Sequence, residues 1–460
     1  MNTTGDNEKS CERKNDDLET PKDDSMAPQV NYLNMSIFCI IIALCGLPVG
    51  WDIGTIGFII STATFKETYG NSMEGEASIS SLMVGIIISS FNLGCLIGCL
   101  GLSKLTSKIG FKGTIFTGNF IYLLGSVIQI LSGWFQLNVW LMILGRVSCG
   151  ICCGALCVLV PRYLNQLIIV PRKDMYLSFF QTSICMAILG GNLANFVLKH
   201  DYLKILSCQL SIVLMTSCLT VFLPESHHYY VSKNELDKAF QVVRRLHVKI
   251  SDDQVIQFID QVPIINTLPN GWIKDKKYYK PLIQCCVMML FQQLTGINYF
   301  FYYGSIIFSS LAINTTIVSI IMSVVNLVGS LMSNIIIGKF GRIQLLLMIG
   351  SAIMSLLLTI YMILAYISTP GTLAGMVLIT CLFIASFATT WGPIPGILVT
   401  RISCNSNDII GLANCVNYIA NCLITVITPI MISAVGFNFS LLFIISLILS
   451  VIYIYYMSSL

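Results

Sequence analysis

Apolar segments about as long as a membrane-spanning helix recur along almost the whole chain. A helix needs about 20 mostly apolar residues to cross a bilayer, and twelve segments of the 460-residue sequence meet this requirement. Backbone groups find no water in the bilayer core, so lipid-exposed segments of this kind must be helical. The pattern predicts an all-α membrane protein with twelve transmembrane helices in two six-helix halves: 36–58, 79–101, 114–133, 137–160, 176–198 and 203–223, then 281–311, 316–337, 344–367, 373–400, 409–434 and 437–457.

Charged residues are scarce, and their placement indicates an orientation. Only 10% of the residues are charged, against about 25% in an ordinary soluble domain. Of the 26 Lys and Arg residues, four lie in the first thirty residues and eighteen in five loops on one side of the predicted topology. Cytoplasmic loops carry an excess of such residues, so we expect both termini to be cytosolic. Because the basic residues are dispersed, we expect the lipid bilayer and not a nucleic acid as the partner.

Composition divides the chain into four stretches. Residues 1–30 are acidic and contain no apolar core of a signal peptide, which predicts a disordered cytosolic tail. We expect an N-terminal six-helix half at 31–224 and a C-terminal six-helix half at 281–460. Between them, the basic interval 225–280 predicts a cytoplasmic linker with short amphipathic helices, for example at 235–249.

Polar side chains interrupt the apolar segment 281–311, which contains the run QQLTGINYFFYYG. An amide both donates and accepts hydrogen bonds, as a sugar hydroxyl does, and it avoids the desolvation cost of an ion. Tyrosine rings suit the apolar faces of a sugar. The alternative is hydrogen bonding between helices, worth about 0.6 kcal/mol on average. Gly296 permits local unwinding that brings three amides to one cavity: Gln292, Gln293 and Asn298.

Several motifs along the chain resemble one family. The run QQLTGINYFFYYG is similar to the seventh-helix signature of the sugar porter family of the major facilitator superfamily, in particular of fungal hexose transporters. GWDIGTIGF in the first segment, GRVSCG in the fourth, PES after the sixth and FATTWGPIP in the tenth are similar to further motifs of that family. The resemblance runs over nearly the whole chain and implies the major facilitator fold, whose halves surround a site at the midplane.

The resemblance also implies which residues bind a sugar. In family positions, the contacts come from segments five, seven, eight, ten and eleven: Gln181, Gln292, Gln293, Asn298, Asn326, Trp391 and Asn417. For a lone amide such as Gln181, the chemistry alone allows a packing role equally well. Tyr302 and Tyr303 are candidate gating residues.

Two ions, Asp52 and Arg146, lie deep in predicted helices. An unpaired charge there costs at least about 2.5 kcal/mol, so one ion of each sign predicts a pair. In proton-coupled relatives the matching pair is the coupling site, which would make a proton the co-substrate. Facilitators that do not couple protons keep the same acid, so a structural role stays open.

The charged residues that the family carries on the cytoplasmic side are largely replaced here. Family acids correspond to Ser107, Gln166 and Gly338, and the acid of segment ten corresponds to Arg401, which reverses the sign. Several lost pairs, each worth about 0.5–1 kcal/mol, predict a carrier that is biased toward the inward-open state or slow to return outward. Restoring acids at Ser107 and Arg401 is then expected to raise transport.

No motif of an enzyme competes with this interpretation. We find no nucleophile elbow, phosphate-binding glycine loop or zinc-protease helix. His227 and His228 are not accompanied by a carboxylate or cysteine cluster, so we expect a solvated loop there, and neither a metal nor a cofactor.

The sequence therefore predicts a plasma-membrane carrier of hexose sugars that works by alternating access. Facilitated diffusion is favoured over proton symport. The alternatives are a sugar sensor or receptor that does not transport, and an inactive copy of a transporter.

Overall fold

The computed structural model describes residues 29–73, 76–168, 173–198, 201–260, 275–301, 315–367, 370–403 and 406–459. Nearly all of this part is helical, apart from two short antiparallel pairs, Gln29–Val30 with His247–Lys249 and Asn71–Met73 with Glu76–Ser78. We number these strands β1, β4, β2 and β3. The predicted all-α membrane fold is confirmed.

The N-terminal half contains helices in each of the first six predicted segments. The first segment is broken near Gly46, where Pro48 begins a second helix. The helices are α1 (Tyr32–Leu44), α2 (Leu47–Ser61), α3 (Ala63–Tyr69), α4 (Ser81–Leu100), α5 (Thr106–Trp134), α6 (Val139–Leu167), α7 (Lys173–Val197) and α8 (Tyr202–Val221).

The C-terminal half follows the last six segments. Segment 281–311 is helical over Lys276–Gln293, unwinds, and resumes as a helical turn at 297–301, after which the chain leaves the described residues. Segment 373–400 divides at Trp391. The helices are α12 (Lys276–Gln293), α13 (Thr315–Lys339), α14 (Ile343–Ile367), α15 (Pro370–Thr389), α16 (Ile394–Ile402), α17 (Asn407–Val435) and α18 (Ser440–Ser459).

Ten stretches of helix in the described part are long and apolar enough to cross a membrane. One of them, Leu82–Trp134, spans two predicted segments, and segment 281–311 is described only in part. A count of twelve is consistent with this result. Large apolar side chains are exposed on the outside of the bundle, as expected where lipid is the solvent.

Small residues let helices approach closely inside the bundle. A Cβ atom on Gly94 would lie 2.0 Å from the Val147 carbonyl oxygen, and one on Gly98 would lie 2.0 Å from that of Ile151. Backbone therefore packs against backbone where α4 meets α6. This contact is typical of membrane helices, which gain no hydrophobic driving force from one another.

The two halves contact each other mainly through α4 with α17 and α7 with α13. Ion pairs join them at one side, which we call the linker face because the short helices of the interval after α8 also lie there. Arg401 Nε donates to Asp174 Oδ1 at 3.1 Å, and Arg401 Nη2 donates to Asp174 Oδ2. Lys104 Nζ lies 3.8 Å from Asp408 Oδ1.

The expected loss of ion pairing at Arg401 is therefore wrong. The sign reversal at Arg401 is matched by an acid on the other half, Asp174, whose side chain is only 15% exposed. An acid placed at position 401 would face this carboxylate. Restoring the acid at Arg401 is thus not expected to raise transport.

Three short helices occupy the interval after α8: α9 (His227–Ser232), α10 (Leu236–Leu246) and α11 (Asp252–Asp260). They enclose a small core of their own, with Ala239, Val243, Val255 and Ile259 buried. Strand β1, just before α1, pairs with β4, just after α10. The start of the described chain is thereby attached to the linker helices; residues 1–28 lie outside the described residues.

Glu225 fixes these helices to the bundle. Its carboxylate accepts hydrogen bonds from the backbone N–H groups of Phe111, Lys112 and Ser226 at 2.9–3.0 Å. The cap forms at Gly110, whose φ of +79° favours glycine, and a Cβ there would lie 2.3 Å from Glu225 Oε2. The Glu of PES thus serves as an N-cap for the α5 segment that follows the kink.

The expectation of a solvated loop at His227 is wrong. Its side chain is 1% exposed, and its ring lies 4.5 Å from that of His228 and 5.4 Å from that of Phe258, measured between centroids. Burial lowers the pKa of His227 well below its ordinary value. Burial, followed by the charges of Arg162 and Lys173, lowers the pKa of His228 to about 4.

Candidate functional site

A cavity of about 190 Å³ lies between the two halves. Its walls come from α2, α4, α6 and α7 on one side and from α12, α13, α15, α16, α17 and the breaks near 296 and 392 on the other. Six of the seven predicted sugar contacts line it. One comes from the N-terminal half, Gln181, and five come from the C-terminal half: Gln292, Gln293, Asn298, Asn326 and Asn417. A smaller cavity of about 20 Å³ adjoins it, and Ile53 and Phe301 line both.

Amides in the wall of this cavity form a continuous chain of hydrogen bonds. Asn417 has the central position: its Nδ2 donates to Gln292 Oε1 at 2.9 Å, and its Oδ1 accepts from Gln293 Nε2 at 2.8 Å. Asn298 Nδ2 donates to Gln293 Oε1 at 2.6 Å and to Asn421 Oδ1 at 3.1 Å. Each side chain is thus held in a fixed orientation, although segments seven and eleven are far apart in sequence.

The break in segment seven brings these amides together. Gln292 and Asn298 would diverge on a regular helix, but the chain turns after Gln293, and Gly296 adopts a φ of +86°. A Cβ on Gly296 would lie 2.7 Å from the Phe443 ring. Only glycine therefore suits this position, because it tolerates both the positive φ and the close contact.

The break in segment ten supplies two carbonyl oxygens that accept hydrogen bonds from the amide chain. Gln292 Nε2 donates to the carbonyl oxygens of Trp391 and Gly392 at 3.0 and 3.1 Å. These carbonyls have left the helical pattern between α15 and α16. Irregular backbone at membrane depth is tolerated where it is buried in protein or lines a cavity.

Trp391, one of the predicted sugar contacts, has its side chain packed within the C-terminal half. Its ring is fully buried and donates from Nε1 to Ser351 Oγ on α14 at 2.8 Å. Only its carbonyl reaches the amide chain. Tyr302 and Tyr303 lie outside the described residues.

Asp52 and Arg146 form the predicted pair, away from the cavity. Arg146 Nη1 and Nη2 donate to the two Asp52 carboxylate oxygens at 3.0 and 3.1 Å, and Arg146 Nε donates to the Ile87 carbonyl at 2.8 Å. Both side chains are buried. The arrangement joins α2, α4 and α6 within one half, and the Arg146 guanidinium lies 5.7 Å from the ring centre of Phe91, which lines the cavity.

The predicted sugar contacts leave out five polar side chains of the cavity wall. Asn92 and Cys157 come from the N-terminal half, and Asn414, Tyr418 and Asn421 come from α17. Cys157 Sγ and Tyr418 Oη, one from each half, lie 3.1 Å apart. Asn92 is an isolated amide in an apolar segment, so the cost of polar groups in the membrane could have identified it. The buried Arg162 of α6, 3% exposed, was likewise missed.

Comparison with known proteins places this fold and cavity in a family. The protein-family model described as "Sugar (and other) transporter" matches residues 38–458. The chain belongs to this sugar transporter family. Hexose transporter HXT14 of Saccharomyces cerevisiae is 31% identical over 88% of this chain and 83% of its own length. Hexose transporter 2 of Kluyveromyces lactis is 28% identical over 96% of this chain and 82% of its own length.

Solved structures agree on the fold. The proton:xylose symporter XylE bound to 6-bromo-6-deoxy-D-glucose superposes with a TM-score of 0.80 at 18% identity, covering 92% of this chain and 96% of that one. A partially occluded inward-open form of XylE from E. coli gives 0.75, also at 18% identity. The protein is therefore a multi-span sugar carrier of the major facilitator fold, and a transporter and not an enzyme.

Proposed function

We propose that this protein carries hexose sugars by facilitated diffusion, and that the sugar binds in the cavity between the halves. The observation that carries the proposal is the chain of cavity amides centred on Asn417. Fixed donors and acceptors suit a ligand with several hydroxyl groups, and they need no reorganisation when it binds. The names of the relatives, which are hexose and glucose transporters, support hexose as the substrate.

Alternating access follows from the position of the cavity. We propose that residues 31–224 and 281–460 act as two bodies that rock around it, with 225–280 as a cytoplasmic linker and 1–30 as a cytosolic tail. The ion pairs at the linker face would then separate whenever the cavity opens there. The basic loops on this face support a cytosolic placement of both termini, and the fungal relatives support the plasma membrane.

Under this proposal the Asp52–Arg146 pair has a structural role and does not exchange a proton. Both carboxylate oxygens and three guanidinium nitrogens already have partners within the N-terminal half. Breaking a buried pair of this kind costs about 3–5 kcal/mol. The pair therefore fits a structural role in one rigid body better than a proton exchange in each transport cycle.

Uptake by proteoliposomes tests this proposal. Purified full-length protein is expected to move labelled glucose down its concentration gradient, and an imposed pH gradient is expected to leave the final level unchanged. Accumulation above equilibrium under a pH gradient would show symport instead. Saturable glucose binding without uptake would favour the sensor, and the absence of both would favour the inactive copy.

A further inference from the structure

Asn92 of α4 connects the amide chain to the N-terminal half. Its side chain is 2% exposed and lies in the wall of the large cavity. Asn92 Oδ1 accepts from Asn421 Nδ2 at 3.3 Å. The bonds within the C-terminal half that extend from Asn421 to Gln292 measure 2.6–3.1 Å. The bond that crosses between the halves is thus the longest of the series.

The other polar atom of Asn92 has no hydrogen-bond partner in the part of the chain that the structure describes. Its Nδ2 is buried and makes no hydrogen bond with any described residue, and the same holds for Asn326 Oδ1, which belongs to another residue of the cavity wall. A buried donor or acceptor left unpaired is costly. Two residues of the cavity wall therefore each hold an unpartnered polar atom, a donor on the N-terminal half and an acceptor on the C-terminal half. A hydroxyl group, which both donates and accepts, is the kind of ligand group that pairs with either.

A purely structural role accounts for only part of this arrangement. A hydrogen bond that links α4 to α17 needs only Asn92 Oδ1. These helices also approach closely elsewhere, because Cys422 Sγ lies 3.7 Å from the Ser89 carbonyl oxygen. A tie gives no reason for an amide donor in the cavity wall.

We propose that Asn92 is a specificity-determining residue of the hexose site, and that its Nδ2 donates a hydrogen bond to one hydroxyl of the bound sugar. This inference rests on the proposed function. A sugar held by the C-terminal amides would then contact the N-terminal half through Asn92, so closure of the halves would depend on a hydroxyl at the matching position of the ring.

The test compares glucose with its monodeoxy analogues, each lacking a different hydroxyl. Asn92→Asp keeps the acceptor and removes the amide donor, and Asn92→Leu removes both. The control is Leu93→Ala, because Leu93 is the next residue on α4 and is 52% exposed on the outer surface of the bundle. Competition by each analogue against labelled glucose uptake is measured in proteoliposomes of the full-length variants, alongside the KM for glucose itself.

We expect Asn92→Asp to raise the KM for glucose about three- to tenfold, the value of one hydrogen bond. The analogue that lacks the hydroxyl bound by Asn92 has no bond to lose. It is therefore expected to compete equally well in the parent and in the variant. An equal loss for every analogue, or an unchanged KM in both variants, overturns the assignment. If the parent chain neither binds nor moves any sugar, the proposed function fails first and this inference with it.

Discussion

At the residue scale, Asn417 has the most connected side chain in the cavity wall. It binds both glutamines of segment seven, and its Nδ2 also donates to the Met289 carbonyl at 3.0 Å. Asn414 lies one helical turn earlier and also lines the cavity, but among the described residues its Nδ2 donates only to the Ile410 carbonyl of its own helix. The same residue type thus occurs in two different roles on one helix.

This difference allows a matched comparison. Asn417→Ala leaves Gln292 Oε1 and Gln293 Nε2 without their partner, at a cost of about 1–3 kcal/mol for each buried group. We expect the KM for glucose to rise at least about tenfold. Asn414→Ala is expected to change the KM less than about threefold. Equal effects of the two substitutions on the KM, measured by uptake, would contradict the role given to the amide chain.

At the element scale, the ends of α7 and α16 meet at the linker face through Asp174 and Arg401. An exposed ion pair is worth about 0.2–1 kcal/mol, but Arg401 binds both carboxylate oxygens of an acid that is largely buried. The pair joins helices of opposite halves. Its free energy therefore bears directly on the equilibrium between the closed and open forms of this face.

Charge reversal tests the pair. Arg401→Asp and Asp174→Arg, made singly, place like charges together and are expected to favour opening of the linker face. We expect the ratio of the KM values for glucose entry and glucose exit to change two- to fivefold, which is equivalent to about 0.5–1 kcal/mol. The double reversal restores opposite charges and is expected to recover most of the original ratio. Lys238→Glu, in an exposed pair within the linker, serves as the control.

If the double reversal behaves like the sum of the two single changes, the two residues act independently. The pair would then be only a surface contact, and closure of this face would depend on other groups. Lys104 with Asp408 would be the next pair to examine.

We expect the docking of the linker helices α9–α11 onto the bundle to depend on pH. Buried His227 and half-buried His228 have lowered pKa values in the docked linker, so undocking takes up protons when the pH falls below the ordinary histidine pKa of 6.5. The stability of docking is thus fully present above pH 6.5 and is lost as the pH falls toward 4. The positive charges of Arg162 and Lys173 add to this lowering of the pKa. The His247 ring lies 6.2 Å from that of Phe258, measured between centroids.

We expect amide protection factors in α9–α11 to fall as the pH is lowered from 7 to 5, while those of α6 stay constant. Hydrogen exchange corrected for the intrinsic rate at each pH measures this. In the His227→Phe, His228→Phe double variant, which keeps aromatic side chains beside Phe258, the pH dependence of the linker is expected to disappear. A dependence that persists would assign the titration to other groups.

At the scale of the whole molecule, the membrane limits the possible structures so strongly that apolar segment length predicts the helices. Contacts between segments that are distant in sequence are harder to predict, because no local pattern of residues indicates them. Two contacts depend on how the helices pack: the hydrogen bond from Asn298 to Asn421 and the Asp174–Arg401 ion pair. From the sequence alone, the arginine at position 401 suggests that an ion pair has been lost. The same holds for His227, whose burial depends on how the linker folds back onto the bundle.

Counterflow tests whether the two halves work as one carrier. A carrier with a single site exposed alternately must return with or without sugar, and sugar on the far side speeds the return whenever the empty return is rate-limiting. Vesicles preloaded with unlabelled glucose are therefore expected to take up labelled glucose transiently above its equilibrium level. A channel, a sensor or a leak gives no such overshoot, and vesicles without the protein provide the baseline. The Asn417→Ala variant, with its weakened site, is expected to lose the overshoot at low glucose and regain it at high glucose, which separates weakened binding from a blocked cycle.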